Sequence, residues 1–198
     1  MTQPVHFVAP EDLARANFYG LVARLFYAAP DEQLISELRR APPIEGGGAL
    51  AGAWREMIEA CASASPAMLE DEHTELFVGT GKAEVTPYLS HYVLRHTSDT
   101  PLVELRQQFV AWGIARRETV PEYEDHISSV CEALRFAIAV QQRDDEEQKA
   151  FFDRFLYPGA IAFCDAVSTS KNARFYLRVA RFARAFFEVE RAAFEMVG

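Results

Sequence analysis

Two stretches of the chain combine acids, glycines, prolines and aromatics in a way that could support binding chemistry. The first runs Glu75-Leu76-Phe77-Val78-Gly79-Thr80-Gly81-Lys82-Ala83-Glu84-Val85-Thr86-Pro87-Tyr88-Leu89-Ser90. The second runs Pro121-Glu122-Tyr123-Glu124-Asp125-His126 directly into Ile127. Loops of this mixture on a helical scaffold are where recognition usually resides. Asp125 and His126 offer an acid beside a titratable imidazole, but neighbours on a helix point about 100° apart, which separates them from triad geometry. A plainer reading of the second loop is a helix start, with Pro121, Glu122, Glu124 and Asp125 all suited to a first turn. The first loop is not a phosphate cradle, because Gly81-Lys82-Ala83-Glu84 lacks the Lys-Ser or Lys-Thr that a Walker loop places at a helix start.

No Gly-x-Ser-x-Gly elbow and no Cys-His nucleophile arrangement is present. Five histidines show no His-Glu-x-x-His spacing, and Cys61, Cys131 and Cys164 form no Cys-x-x-Cys pair. A metal site assembled across helices from Asp71, His73, Asp125 and His126 is the remaining metal reading, weaker than solvated or hydrogen-bonded histidines. Neither metal nor cofactor is expected. A small metal-dependent hydrolase using Asp125 and His126 stands as the enzymatic alternative, and a module held in a permanent complex as a third reading.

The elements that must position these loops read as helices. Glu11 to Ala29 carries Leu13, Phe18, Leu21, Leu25 and Phe26 at helical spacing, and Pro30-Asp31-Glu32 opens a short helix to Arg40. Pro42-Pro43 and Gly46-Gly47-Gly48 interrupt the chain before an apolar stripe over Ala49 to Ala62. Ser65-Pro66 starts the helix ending in the first loop, and Thr100-Pro101 starts another, stopped by Gly113. Tyr88 to His96 fits strand or helical turn. Ile127, Val130, Cys131, Leu134 and Ile138 form a buried helix face. Asp144 to Tyr157 is amphipathic, and Pro158-Gly159 is expected to kink or break it before Ala160 to Val167. Lys171 to Met196 reads as the longest helix, its arginines partly neutralised by the i, i+4 pairs Arg184–Glu188 and Arg191–Glu195.

With no period-2 ladder, repeat or long linker, the expectation is an all-α fold in one domain, residues 1–198, more elaborate than a four-helix bundle. Of the 198 residues 49% are hydrophobic, with fifteen Phe and seven Tyr, which excludes disorder. Three cysteines exclude a disulfide scaffold, and a net charge of −9 disfavours nucleic acid. Met1 to Pro10 lacks the pattern of a secretory signal and no run is long enough to span a bilayer, so a cytoplasmic address is expected. Charge is uneven: residues up to Asp99 hold 14 acids against 7 Lys/Arg, and the remainder 15 against 13. If the two loops converge, Glu70-Asp71-Glu72, Glu75, Glu122, Glu124 and Asp125 would form an acidic rim suited to a peptide with basic residues beside an apolar run.

These residues bring a family into view. Glu75-Leu76-Phe77-Val78-Gly79 followed by Pro87-Tyr88-Leu89-Ser90 resembles the signature loop of the TorD/DmsD/NarJ family of cytoplasmic molybdoenzyme maturation chaperones. Glu122-Tyr123-Glu124-Asp125-His126-Ile127 resembles its Glu-Pro-x-Asp-His hallmark. Tyr19 to Phe26, Phe155-Leu156-Tyr157-Pro158 and Phe175-Tyr176 resemble its first helix, late turn and terminal helix. Tyr123 stands where a proline is common, Thr80 likewise, and Gly159 where tryptophan often follows the late proline; the TorD/DmsD branch is the nearer one.

The resemblance implies a non-enzymatic chaperone that binds the twin-arginine signal peptide, and the body, of a molybdopterin oxidoreductase catalytic subunit. It holds that client for cofactor insertion before Tat export. Leu76, Phe77, Pro87 and Tyr88 would bury the apolar part of the peptide or hold the loop that does. Glu122, Tyr123, Glu124, Asp125 and His126 complete the candidate set, with arginine accepted by Glu124 and Asp125, and with Gly79 and Ser90 shaping the loop. A monomer is expected; the domain-swapped dimers of the family would place a hinge at Ile114 to Pro121.

Overall fold

Pro10, with Glu11 and Asp12 behind it, starts α1 (Pro10–Tyr27), where a missing N–H costs nothing and acids meet the positive end of the helix dipole. The computed structural model describes residues 8–79, 81–93, 101–115 and 123–197. Asp31 caps α2 (Glu32–Arg40) by accepting from the Leu34 N–H at 2.9 Å. Beyond the glycine run, α3 (Ala49–Cys61) buries Trp54, Met57 and Cys61. Ser65 caps α4 (Pro66–His73), which passes into a π turn over Thr74–Val78. Of the ambiguous stretch, Tyr88 forms a β-bridge and Ser90–Val93 a short α5, while residues 94–96 lie outside the described residues; α6 (Pro101–Ala111) follows.

Next come α7 (Ile127–Phe136) with a π turn over Ala137–Gln141, α8 (Asp145–Phe151) with a π turn over Phe152–Leu156, α9 (Tyr157–Thr169) and α10 (Phe175–Val197). The architecture is all-α, and among the described residues the β-type pairing is a single bridge between Tyr88 and His126.

One boundary takes a more specific form than the sequence reading gave it, and one differs. The chain stays helical through Pro158, because the π turn ahead of it takes up the lost N–H donor and the ring's clash with the preceding turn. The last helix begins at Phe175 rather than Lys171. Its start is set from outside: the Glu72 carboxylate accepts from the N–H groups of Arg174, Phe175 and Tyr176 at 2.7, 3.1 and 2.9 Å. That supplies the capping acceptors that its own preceding residues do not.

The core is aromatic. α1 packs on α7, and α10 lies between α3 and α9. Phe26 meets Phe163 at 4.9 Å and Phe77 at 5.9 Å between ring centroids, and Tyr19 meets Phe186 at 4.8 Å. All three cysteines are buried and free; burial pushes the Cys131 and Cys164 thiols well up and keeps them neutral. One charged group lies deep in this core. Glu190 on α10 accepts from Arg15 Nε at 3.0 Å and from the Tyr19 hydroxyl at 2.8 Å, tying the last helix to the first.

Gly159 sits where α9 meets the first loop. A Cβ there would lie 2.8 Å from Leu89 Cβ and 3.0 Å from its carbonyl oxygen. Leu89 thus occupies the space that a side chain at 159 would need. In an exposed helix, Gly→Ala would gain about 1 kcal/mol; here overpacking against backbone reverses the sign. Gly159→Ala is expected to destabilise the protein by about 1–3 kcal/mol, read as a lowered urea midpoint.

Candidate functional site

The two sequence-selected loops meet. Tyr88 and His126 form an antiparallel bridge, with the Leu89 N–H donating to the Asp125 carbonyl at 2.9 Å and the Ile127 N–H donating to the Pro87 carbonyl at 2.9 Å. The Asp125 carboxylate adds a second fastening, accepting from the Ser90 N–H at 3.3 Å and from the Ser90 hydroxyl in a short hydrogen bond. Ser90 lies at the first position of α5, so this one acid holds a helix start and the opposite loop together.

The first loop is shaped by three further contacts. Gly79 adopts φ 65°, and a Cβ there would lie 2.2 Å from the Lys82 carbonyl oxygen, so glycine is required for the reversal. The Val85 N–H donates to the Leu76 carbonyl at 2.9 Å. Glu84 accepts from Ser170 and Asn172 at 2.6 and 2.8 Å, pinning the loop to the turn between α9 and α10.

Several candidate residues lie deeper than a peptide-contact role requires. Leu76, Phe77 and Pro87 are buried, and Phe77 packs on Phe26, Phe163, Tyr176 and His73. They hold the loop rather than line a surface, because the π turn rotates this stretch of chain into the core. Asp125 is 6% exposed and engaged by Ser90. His126 is not in a helix interior: it is the N-cap of α7, its Nδ1 accepting from the Ser128 N–H at 3.2 Å. The expected helix start at Pro121 therefore moves to His126. Burial, and then the nearby His73, push the His126 imidazole down to about 4, so it is neutral near pH 7. The hydrolase alternative is not favoured, since Asp125 faces Ser90 while His126 accepts from a backbone amide.

The outer part of the junction is aromatic and charged. Tyr123 is 54% exposed, and its ring meets Tyr88 at 5.9 Å; Tyr88 in turn meets His126 at 5.5 Å. Glu124 pairs with Arg106 of α6 at 3.1 Å. Glu122, Pro121, Thr80 and most of the proposed hinge lie outside the described residues.

The expected common acidic rim is replaced by two separate features. Asp71, Glu72 and Glu75 project with Glu56 and Glu59 into a groove of about 820 Å³ between α3, α4 and α10, faced by Arg174, Arg178 and Arg181. No residue of the second loop lines it. On a helix, Asp71 and Glu75 share a face that turns away from Leu76 and Phe77, which separates them from Glu124 and Asp125. Glu84, Arg106 and Glu72 had no individual roles in the sequence reading; their partners are too distant along the chain for local patterning to indicate.

Comparison with known proteins gives a consistent relationship. A protein of Archaeoglobus fulgidus described as a redox enzyme maturation protein superposes with TM-score 0.58 at 18% identity, covering 94% of this chain and 99% of that one, which relates the two folds. The chaperone protein TorD of Shewanella loihica is 26% identical over 211 residues, covering 96% of this chain and 97% of its own length. The family model described as nitrate reductase delta subunit matches residues 46–165, from the glycine run through both loops to α9. With the signature loops joined in space and the match covering more than half of its length, the chain belongs to the nitrate reductase delta subunit family, the TorD/DmsD/NarJ group that its two loops resemble.

Proposed function

We propose that this member of a family of redox-enzyme maturation chaperones binds the twin-arginine signal peptide of a molybdopterin oxidoreductase catalytic subunit in the cytoplasm, holding the subunit for cofactor insertion before Tat export. The observation that carries the reading is the fastening of the first loop to the second through the Tyr88–His126 bridge and the Asp125–Ser90 hydrogen bonds. It brings Tyr88, Tyr123 and Glu124 together at one accessible edge. Such an edge suits a leader with two guanidinium groups before an apolar stretch. The tyrosine faces accept guanidinium planes, and Glu124 exchanges Arg106 for an arginine of the leader. Leu76, Phe77, Gly79, Pro87, Ser90, Asp125 and His126 keep that edge in shape from below, and Glu122 extends the acidic run.

The test is calorimetric titration with synthetic twin-arginine leaders of the molybdopterin oxidoreductases encoded in the same genome. Binding is expected with Kd in the range of about 1–10 μM, weakening as salt is raised because exposed charges contribute. Tyr123→Ala is expected to weaken it about tenfold through lost aromatic contact. Asp125→Ala is expected to weaken it more, together with loss of the loop fastening, seen as faster amide exchange at Leu89 and Ile127. Absence of binding to any leader so encoded would remove the proposal.

A further inference from the structure

The groove between α3, α4 and α10 has no part in the leader contact described above, yet it carries an ordered charge pattern. On one wall Asp71 and Glu75 lie one helical turn apart, with Glu59 of α3 beside them. On the other wall Arg174 and Arg178 lie one turn apart at the start of α10. Among the described residues none of these five side chains makes an ion pair, although both signs line one groove. The ion pair across this groove is Arg181 of α10 with Glu56 of α3 at 3.2 Å. Between the walls, Leu69 and Phe175 are buried beneath the surface, and Met68 is 60% exposed.

Two features determine which chemistry fits. The amide groups that begin α10 already donate to the Glu72 carboxylate, so this helix start has no capacity left for a phosphate. The acids opposite would repel a polyanion as well. A peptide with basic side chains toward α4 and acidic side chains toward α10 satisfies both walls at once, and a central apolar residue would meet Met68. A twin-arginine leader, cationic in its recognition motif, would satisfy only the acidic wall and leave Arg174 and Arg178 without a counter-charge.

We propose that this groove is a second docking surface that takes a segment of the client's body, basic along one edge and acidic along the other, at a distance from the leader. The inference rests on the chaperone reading above. Holding leader and body at separate places links two modest affinities into one stronger attachment, released when the body folds around its cofactor and withdraws that segment.

The test uses the cofactor-free catalytic subunit of a molybdopterin oxidoreductase encoded in the same genome, with its leader deleted, and the isolated leader peptide as a second probe. Two double variants are compared with the wild type: Asp71→Lys with Glu75→Lys, and Arg174→Glu with Arg178→Glu, each checked for unchanged helicity by circular dichroism. Glu72 is left intact because it caps α10. Each double variant is expected to weaken the leaderless subunit about tenfold or more while leader affinity stays within about twofold. Undiminished binding of the leaderless subunit by both variants would overturn the inference and leave the leader reading in place. So would loss of leader affinity alone, which would assign the groove to the leader. If the wild type bound neither probe, the chaperone reading would fall first and the inference with it.

Discussion

Glu190→Ala is expected to produce the largest loss of stability of any single substitution on α10, about 3–5 kcal/mol. Glu190 is 2% exposed and accepts from Arg15 Nε at 3.0 Å, Arg15 Nη2 at 3.0 Å and the Tyr19 hydroxyl at 2.8 Å. Removing the carboxylate leaves two kinds of donor stranded. The guanidinium keeps its charge in a half-buried position, with Asp12 at 3.0 Å and the Phe194 ring at 5.1 Å as its remaining partners. The Tyr19 hydroxyl, held protonated by burial and by the Glu190 charge, loses its acceptor in a fully buried site. Glu190→Gln separates the two contributions, since an amide oxygen still accepts from Tyr19 while the ion pair is gone; a loss of about half that of alanine is expected. Urea unfolding followed by far-UV circular dichroism measures both. A Glu190→Ala midpoint equal to the wild type would mean that α1 and α10 are held by packing alone.

The second large effect is acid sensitivity. His126 is 4% exposed, and its pKa is pushed down from 6.5 to about 4 by burial first and by the neighbouring His73 second. The unfolded chain therefore binds a proton at a pH where the folded chain does not. Stability from this group is fully present above pH 6.5, is lost as pH falls through the interval to about 4, and changes no further below it. Over that interval the loss approaches about 3 kcal/mol. His73 acts in the same direction, lowered by burial against the opposing hydrogen bond to the Phe26 backbone.

The structural consequence is local. A protonated imidazole can no longer accept from the Ser128 N–H, and it places positive charge at the positive end of α7. The residue that fails is the one paired with Tyr88, so the junction of the two loops should open before the core does. Unfolding free energies at pH 7.0, 6.0, 5.0 and 4.5 should decline with a slope that His126→Asn reduces, because asparagine keeps the cap without titrating there. An unchanged slope in that variant would assign the acid sensitivity elsewhere.

The helices were legible because their signals are local. Ser65 as a cap, Pro66 and Pro101 at helix starts, and the Ile127–Ile138 stripe all act within a turn or two of chain. Pro158 was legible as the mark of an irregularity, and the structure gives its form: α8 ends at Phe151, a π turn spans Phe152–Leu156, and α9 begins at Tyr157 with the proline in its first turn. Lys171 was placed inside the last helix because the acid that starts α10 is Glu72, about a hundred residues away. In the candidate site, the two loops could be read from residue types, and the shaping role of Gly79 from the resemblance. The inward rotation of Leu76 and Phe77 could not, since an apolar pair beside a glycine loop is compatible with either face.

By itself the sequence determined an all-helical fold, the two loops that carry family character, and a negative charge concentrated in its first half. The helices and the charge bias follow from composition and short-range periodicity, and the family character from the resemblance of short motifs; none of these needs knowledge of what packs on what. Only the tertiary structure decided that Asp125 fastens Ser90 while Glu124 meets Arg106, and that the acids of α4 face arginines of α10 across a groove instead of joining a common rim. Each of these is a pairing between residues far apart along the chain. Such pairings are set by how whole helices pack to bury their apolar faces, and charged side chains take whatever partners that packing brings within reach.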